Sequence, residues 1–297
     1  MLPVPIQREN TVNRRNLLAA LLVALVPALA CAQGYEGRLK RIKDTKTIAI
    51  AHRTDALPFA FLDESKQPTG YSVELCKRVV NMIDQQLGTG GLKIKWVPVT
   101  TQNRFDVVAK GEADMECGSS SVTLSRLKQV DFSNYIFVDG TAILARKDLG
   151  AKSISDLSGK KIGVPAGTSN EKALKDALKD RAVTANVVAV ASREDGLAKV
   201  EAGELDALAS DQVLLLGLAS KAKNPAALGF VDDTLSFEPY AIALPRNDSA
   251  LRIEVNSALA RIYRSPAIAD VYGQWFGAFG KPGPALRAVF AMGAIPD

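Results

Sequence analysis

The chain has 297 residues, 47% of them apolar, with 37 Lys and Arg against 32 Asp and Glu for a formal charge of +5. This content supports a sizeable core in one large or two medium domains and excludes an extensively disordered chain. With one histidine, three cysteines and no Lys/Arg run interleaved with aromatics, neither a metal centre nor a nucleic-acid partner is expected.

Residues 1–32 read as an export signal peptide. Arg14 and Arg15 precede an apolar run over 17–30, and Ala-x-Ala cleavage options end at Ala30 or Ala32. The run is shorter than the ~20 residues needed to span a bilayer. Arg14-Arg15-Asn16 is similar to a twin-arginine signal, but Asn13 and the missing phenylalanine favour the general secretory route. Ala28-Leu29-Ala30 before Cys31 makes a poor lipidation box, so soluble release is expected over lipid anchoring at Cys31.

From residue 47 short apolar runs alternate with amphipathic stretches, the pattern of an α/β fold with helices packed on a largely parallel sheet. Strands are predicted at 47–51, 93–99 and 113–117. Helices are predicted at 71–87, with Val73, Cys76, Val79, Val80 and Ile83 on one face and Gly88 as its stop, and at 102–110, ended by Gly111. An export route permits a Cys76–Cys117 disulfide, but the place of Cys76 on an apolar helix face favours a buried free thiol.

A second α/β set follows 141–147, with strands at 160–164, 185–190 and 207–209 and helices at 169–180 and 193–202. Residues 236–244 are strand-like and 250–263 form an amphipathic helix that returns to the first unit. Lobe one is therefore expected over 42–140 plus 244–297 and lobe two over 141–243, joined by two crossing segments with a cleft between them. Residues 280–297, with Pro282, Pro284 and Pro296, read as a surface tail.

No catalytic residue or cofactor is expected. His52 lies at a strand end, where a packed or hydrogen-bonded imidazole is favoured over a catalytic base, and Gly88-Thr89-Gly90-Gly91 is a turn rather than a phosphate loop. What remains is a recognition set. Arg53, Arg104 and Arg126 each stand beyond a strand-like run beside small hydroxyl residues. Their guanidinium forks match carboxylates, and open α/β sheets bind ligands at strand carboxyl ends. Ser119, Ser120 and Ser121 add neutral donors near Arg126. Thr168 and Ser169 open a helix that can receive an anion or is simply capped there. Asp211 is either a cap or a counter-charge for an ammonium.

The strings AHRTDALPFAFLD, GYSVELCKRV, VTTQNRFDVVAKGEADMECGSSSVTLSR, VDFSNYIFV, GKKIGVPAGTS and DQVLLLG occur in this order over residues 51–217. The chain resembles, over nearly all of 45–277, the periplasmic amino-acid-binding proteins of ABC importers (solute-binding protein family 3), and most of all their glutamate/aspartate-binding branch. The resemblance implies a two-lobed periplasmic-binding-protein fold (type II) and a monomeric periplasmic protein. It further implies a ligand that is L-glutamate or L-aspartate, and an ABC permease in the inner membrane as partner.

By the same resemblance Arg126, with Ser119 and Ser121, clamps the ligand α-carboxylate, Thr168 or Ser169 closes over it, and Asp211 receives the α-ammonium. Arg53 and Arg104, with Thr101, take the side-chain carboxylate. Arg193 stands where the acidic branch carries histidine, Thr101 where it carries serine, and Ser72 replaces an acidic residue of the wider family. The alternative is a cyclohexadienyl (arogenate/prephenate) dehydratase-like enzyme on the same fold, for which Glu116 or Asp211 would be the general acid.

Overall fold

The computed structural model describes residues 35–296; the signal peptide expected at 1–32 lies outside them. Helix α1 (Gly37–Thr45) leads into β1 (Thr47–Arg53), after which β2 (Asp55–Ala56), β3 (Ala60–Leu62) and β4 (Pro68–Thr69) form a small antiparallel sheet. Gly70 then turns the chain into α2 (Tyr71–Leu87) at φ 123°, where an added Cβ would stand 2.4 Å from the Phe59 carbonyl oxygen, so no larger residue fits. Helix α2 buries the whole predicted apolar face and ends at Gly88, whose left-handed backbone lets its N–H donate to the Asp84 and Gln85 carbonyls.

Strand β5 (Lys93–Val99), helix α3 (Arg104–Ala109), β6 (Met115–Cys117) and β7 (Asp131–Asp139) follow. Next come β8 (Thr141–Arg146), β9 (Lys161–Pro165), α4 (Ser169–Asp180), β10 (Asn186–Val190), α5 (Arg193–Glu201), β11 (Ala207–Asp211), α6 (Gln212–Ala219) and β12 (Leu228–Phe230). The chain closes with β13 (Glu238–Leu244), α7 (Ser249–Tyr263), α8 (Ala267–Phe276) and α9 (Pro284–Gly293).

Two five-stranded sheets result, ordered β5-β1-β6-β13-β7 and β10-β9-β11-β8-β12. In each, the parallel strands point their carboxyl ends the same way. An antiparallel strand, β13 or β8, carries the chain across from the other sheet. The first sheet packs Ala49, Ala51, Phe105, Val108, Phe132 and Ala243 on one face. The second buries Ile143, Ile162, Val164 and Leu174 on one side and Leu144, Leu197, Leu208 and Leu215 on the other. Edge-on contacts of Phe59 with Tyr71, Phe137 and Tyr240, at ring centroids of 4.9–6.0 Å, close the first core beneath the crossings.

Three expectations are corrected. Residues 238–243, assigned to lobe two by the boundary at 243, belong to the first sheet. There β13 runs antiparallel to β7 from Glu238 opposite Asp139 to Leu244 opposite Asp131. The run Tyr240 to Leu244 is fully buried, and only the centre of that sheet can cover it on both faces. Cys76 and Cys117 are joined in a disulfide rather than free, because α2 lies across β6 and brings their Cα atoms to 6.4 Å. The expected surface tail contains α9. Pro282 and Pro284 sit before and at the first turn, where a missing N–H costs nothing, and Leu286 and Val289 are buried with Phe290 against Tyr263.

Candidate functional site

The residues singled out from the sequence converge. Arg53 ends β1, Thr101 follows β5 and Arg104 opens α3. Ser119 and Ser121 follow β6, and Arg126 starts a short helical turn. On the second sheet, Thr168 caps α4 ahead of Ser169, Arg193 opens α5, and Asp211 ends β11 ahead of α6. Together with Asn170 they line one narrow space at the carboxyl ends of both parallel sets. A wider open groove adjoins it over Leu124, Arg126, Ser169 and Glu238, but that groove lacks the buried arginines.

Local structure places each cation. The Arg53 guanidinium donates to Asp55 at 2.6 Å, and Arg104 Nη1 donates to the Thr101 carbonyl at 2.5 Å. Arg126 Nη1 donates to the Ser121 carbonyl at 2.7 Å. Arg104 and Arg126 both lie over the Phe105 ring, at 4.5 and 5.1 Å. Arg193 is held by Nε donating to Ser210 Oγ at 2.7 Å and Nη2 to Asp211 Oδ2 at 3.2 Å. Among the described residues, Arg53 Nε, Arg104 Nε, Arg193 Nη1 and Asp211 Oδ1 are buried without a hydrogen-bond partner. Three donors and one acceptor are thus available around one space.

The electrostatics favour an anion there. Burial and then the Arg126 charge pull Arg104 down to about 9, while Glu116 opposes them. Burial and then Arg193 lower Arg53, against Asp55. Burial lowers Arg126, which Glu238 and Asp211 support. Cations desolvated and crowded in this way gain most from an added carboxylate.

Sequence reasoning missed Asn170, Glu238 and Asp139. Asn170 Nδ2 donates to Thr141 Oγ1 at 2.8 Å, tying the first turn of α4 to the first crossing. Glu238 Oε2 accepts from Ser169 Oγ at 2.7 Å, linking β13 to α4. Apart from Ser236 two residues before it, the partners of Glu238 are about 70 and 100 residues away in the chain. His52 packs edge-on to Trp96 at 5.5 Å, with Nδ1 3.1 Å from the Arg53 carbonyl oxygen, outside the cavity lining.

Asp139, where β7 meets the first crossing, accepts from Gly140 N at 2.8 Å, Val213 N at 3.1 Å and Tyr240 Oη at 3.3 Å. Burial and then the Asp211 charge push its carboxyl from 3.8 up to about 7. Between these values the folded chain holds a proton that the unfolded chain has lost. The contribution is therefore full below about pH 4 and lost as pH rises through about 7. The stability of the native chain relative to Asp139→Asn is expected to fall between about pH 5 and about pH 8. Urea unfolding at both values checks this, and a difference that does not change with pH would contradict it.

Residues 48–278 match bacterial extracellular solute-binding proteins, family 3. The chain belongs to this family. The family 3 chain is 35% identical over 261 residues to an L-glutamate/L-aspartate-binding protein of Pseudomonas aeruginosa, covering 88% of this chain and 86% of that one. It is 30% identical to a glutamate/aspartate import solute-binding protein of Salmonella typhimurium, covering 89% and 88%. Among solved structures it superposes on an ancestral amino acid-binding protein, a precursor of cyclohexadienyl dehydratase, with TM-score 0.70 and 27% identity, covering 81% of this chain and 100% of the other. As a family 3 protein it has the two-lobed α/β fold expected from the sequence. No helix among the described residues is long and apolar enough to cross a membrane.

Proposed function

We infer that this family 3 protein is the solute-binding component of an ABC importer and binds an acidic L-amino acid, glutamate or aspartate, between its lobes. The observation that carries the reading is the buried cavity lined by Arg53, Arg104, Arg126 and Arg193 together with a single carboxylate, Asp211. Glutamate has two carboxylates and one ammonium, and the cavity offers opposite charges to all three. Arg126 with Ser119 and Ser121 holds the α-carboxylate, Thr168 and Ser169 cover it from the α4 N-terminus, and Asp211 Oδ1 accepts from the ammonium. Arg53, Arg104 and Thr101 take the distal carboxylate, and Arg193, braced by Asp211, adds a further donor.

Lobe one is assigned to the first sheet with its helices, β13 included, and lobe two to β8–β12, so the crossings at 140 and 231–237 form the hinge. Ligand contacts to both lobes supply the differential free energy that favours closure. The protein is exported by the signal peptide at 1–32, works in the periplasm as a soluble monomer, and docks on its permease when closed. The glutamate/aspartate names of its relatives support the ligand class.

Calorimetry against an amino-acid panel tests the reading. Glutamate or aspartate is expected to bind without turnover and glutamine far more weakly, since a neutral side chain leaves buried arginines unpaired. Product released from arogenate or prephenate would overturn it in favour of the dehydratase-like enzyme.

A further inference from the structure

Glu116 is a buried carboxylate near the cavity that no arginine bonds directly. It lies in the middle of β6, fully buried, and the Ser120 hydroxyl is the one side-chain hydrogen-bonding group that acts on it among the described residues. The other acids differ: Asp55 is bonded to Arg53, Asp211 to Arg193, and Glu238 to Ser169 and Ser236. Glu116 does not line the cavity. It stands behind it, against Gly118, where an added Cβ would be 2.2 Å from Glu116 Oε1 and 3.3 Å from Arg53 Cγ.

The charged groups that act on Glu116 are Arg104 of α3, Arg53 of β1 and Arg126 of the following turn. The flanking strands place only Ala51 and Ala243 opposite it, and the neighbouring Cys117 is in a disulfide and does not titrate. Burial raises its pKa, and Arg104, the Ser120 hydroxyl, Arg53 and Arg126 act in the opposite direction.

We propose that Glu116 is a positioning residue that sets which ligand charge the site accepts: from behind Arg53, Arg104 and Arg126 its carboxylate opposes a plain dicarboxylate and tolerates one that also carries an ammonium. This rests on the acidic amino-acid reading above. The arginines that Glu116 partly neutralises are those that would grip both ligand carboxylates. Its field repels each carboxylate and attracts the ammonium. Glutarate, which is glutamate without the amino group, meets the repulsion with no compensating attraction. The arginine cluster alone would favour the more negative ligand, so a buried acid behind it restores selectivity for the amino acid.

The test compares glutarate with glutamate by calorimetry in the native protein, Glu116→Gln and Glu116→Asp. The ratio of glutarate to glutamate affinity is expected to rise about tenfold or more in Glu116→Gln and to stay near the native value in Glu116→Asp. A ratio unchanged in Glu116→Gln overturns the proposal, even where both affinities fall, since a merely structural role would move the two ligands together. The native protein gives a reading that does not depend on any variant folding. There glutarate is expected to bind more weakly than glutamate at the same pH. Equal affinities overturn the proposal, as does glutarate that binds no folded form. Glutamate that fails to bind the native protein removes the acidic amino-acid reading itself, and the role of Glu116 with it.

Discussion

Arg104→Ala is expected to weaken glutamate binding by ~3–5 kcal/mol, the range found when one partner of a buried charge pair is removed, while glutamine binding changes far less. At ~1.4 kcal/mol per factor of ten, this corresponds to roughly 140- to 4,000-fold in Kd. The residue is 4% exposed, and its Nη1 is fixed on the Thr101 carbonyl. Its Nε has no protein partner among the described residues. In the free protein, burial and then the charge of Arg126 work against its protonation, and a ligand carboxylate relieves both. The same crowding predicts that Arg104→Ala does not lower the stability of the ligand-free chain, since removing one of several like charges eases repulsion on Arg53, Arg126 and Arg193. Calorimetry with both ligands, beside a melting curve of the free variant, checks the two statements. Equal loss of glutamate and glutamine would assign Arg104 to the shared amino-acid clamp instead of the side chain.

The second large effect is on stability. Replacing Cys76 and Cys117 together with serine opens a loop of 41 residues and should cost about 4 kcal/mol by the chain-entropy relation. For a chain of this size that lowers Tm by about 7 °C. The cross-link ties α2 to β6, one residue before Gly118 and two before Ser119, so it also braces the serines beside the cavity. Native and variant chains are to be compared by thermal unfolding, the native one with and without reductant. A Tm that neither the substitution nor reductant moves would show that the link leaves the unfolded chain unconstrained.

Much of this was legible in the residues because it is local. The spacing of Val73, Cys76, Val79, Val80 and Ile83 defines the buried face of α2, and Gly88 ends it as expected. The strand at 93–99 and the helix at 169–180 match their predicted bounds, since alternation, caps and breakers act within a few residues. The recognition residues could be picked out for the same reason: each follows a strand or opens a helix, and strand ends in such sheets converge.

Other features depended on contacts across long stretches of chain. The run at 238–244 reads as a strand in any context, and only its pairing with β7 places it in the first sheet. Prolines made 280–297 look irregular, yet the face formed by Leu286, Val289 and Phe290 finds Tyr263 and folds onto it. Asn170, Glu238 and Asp139 join the site through hydrogen bonds to residues 29 to 101 positions away.

The sequence by itself determined the alternation of strands and helices, the family and the cationic chemistry of the strand ends, all of which follow from periodicity, residue type and motif order. Tertiary structure alone decided that Cys76 meets Cys117, that β13 completes the first sheet, and that Glu116 is buried behind three arginines. Pairing, burial and charge coupling depend on distances between elements far apart in the chain, and those distances exist only once the elements have packed.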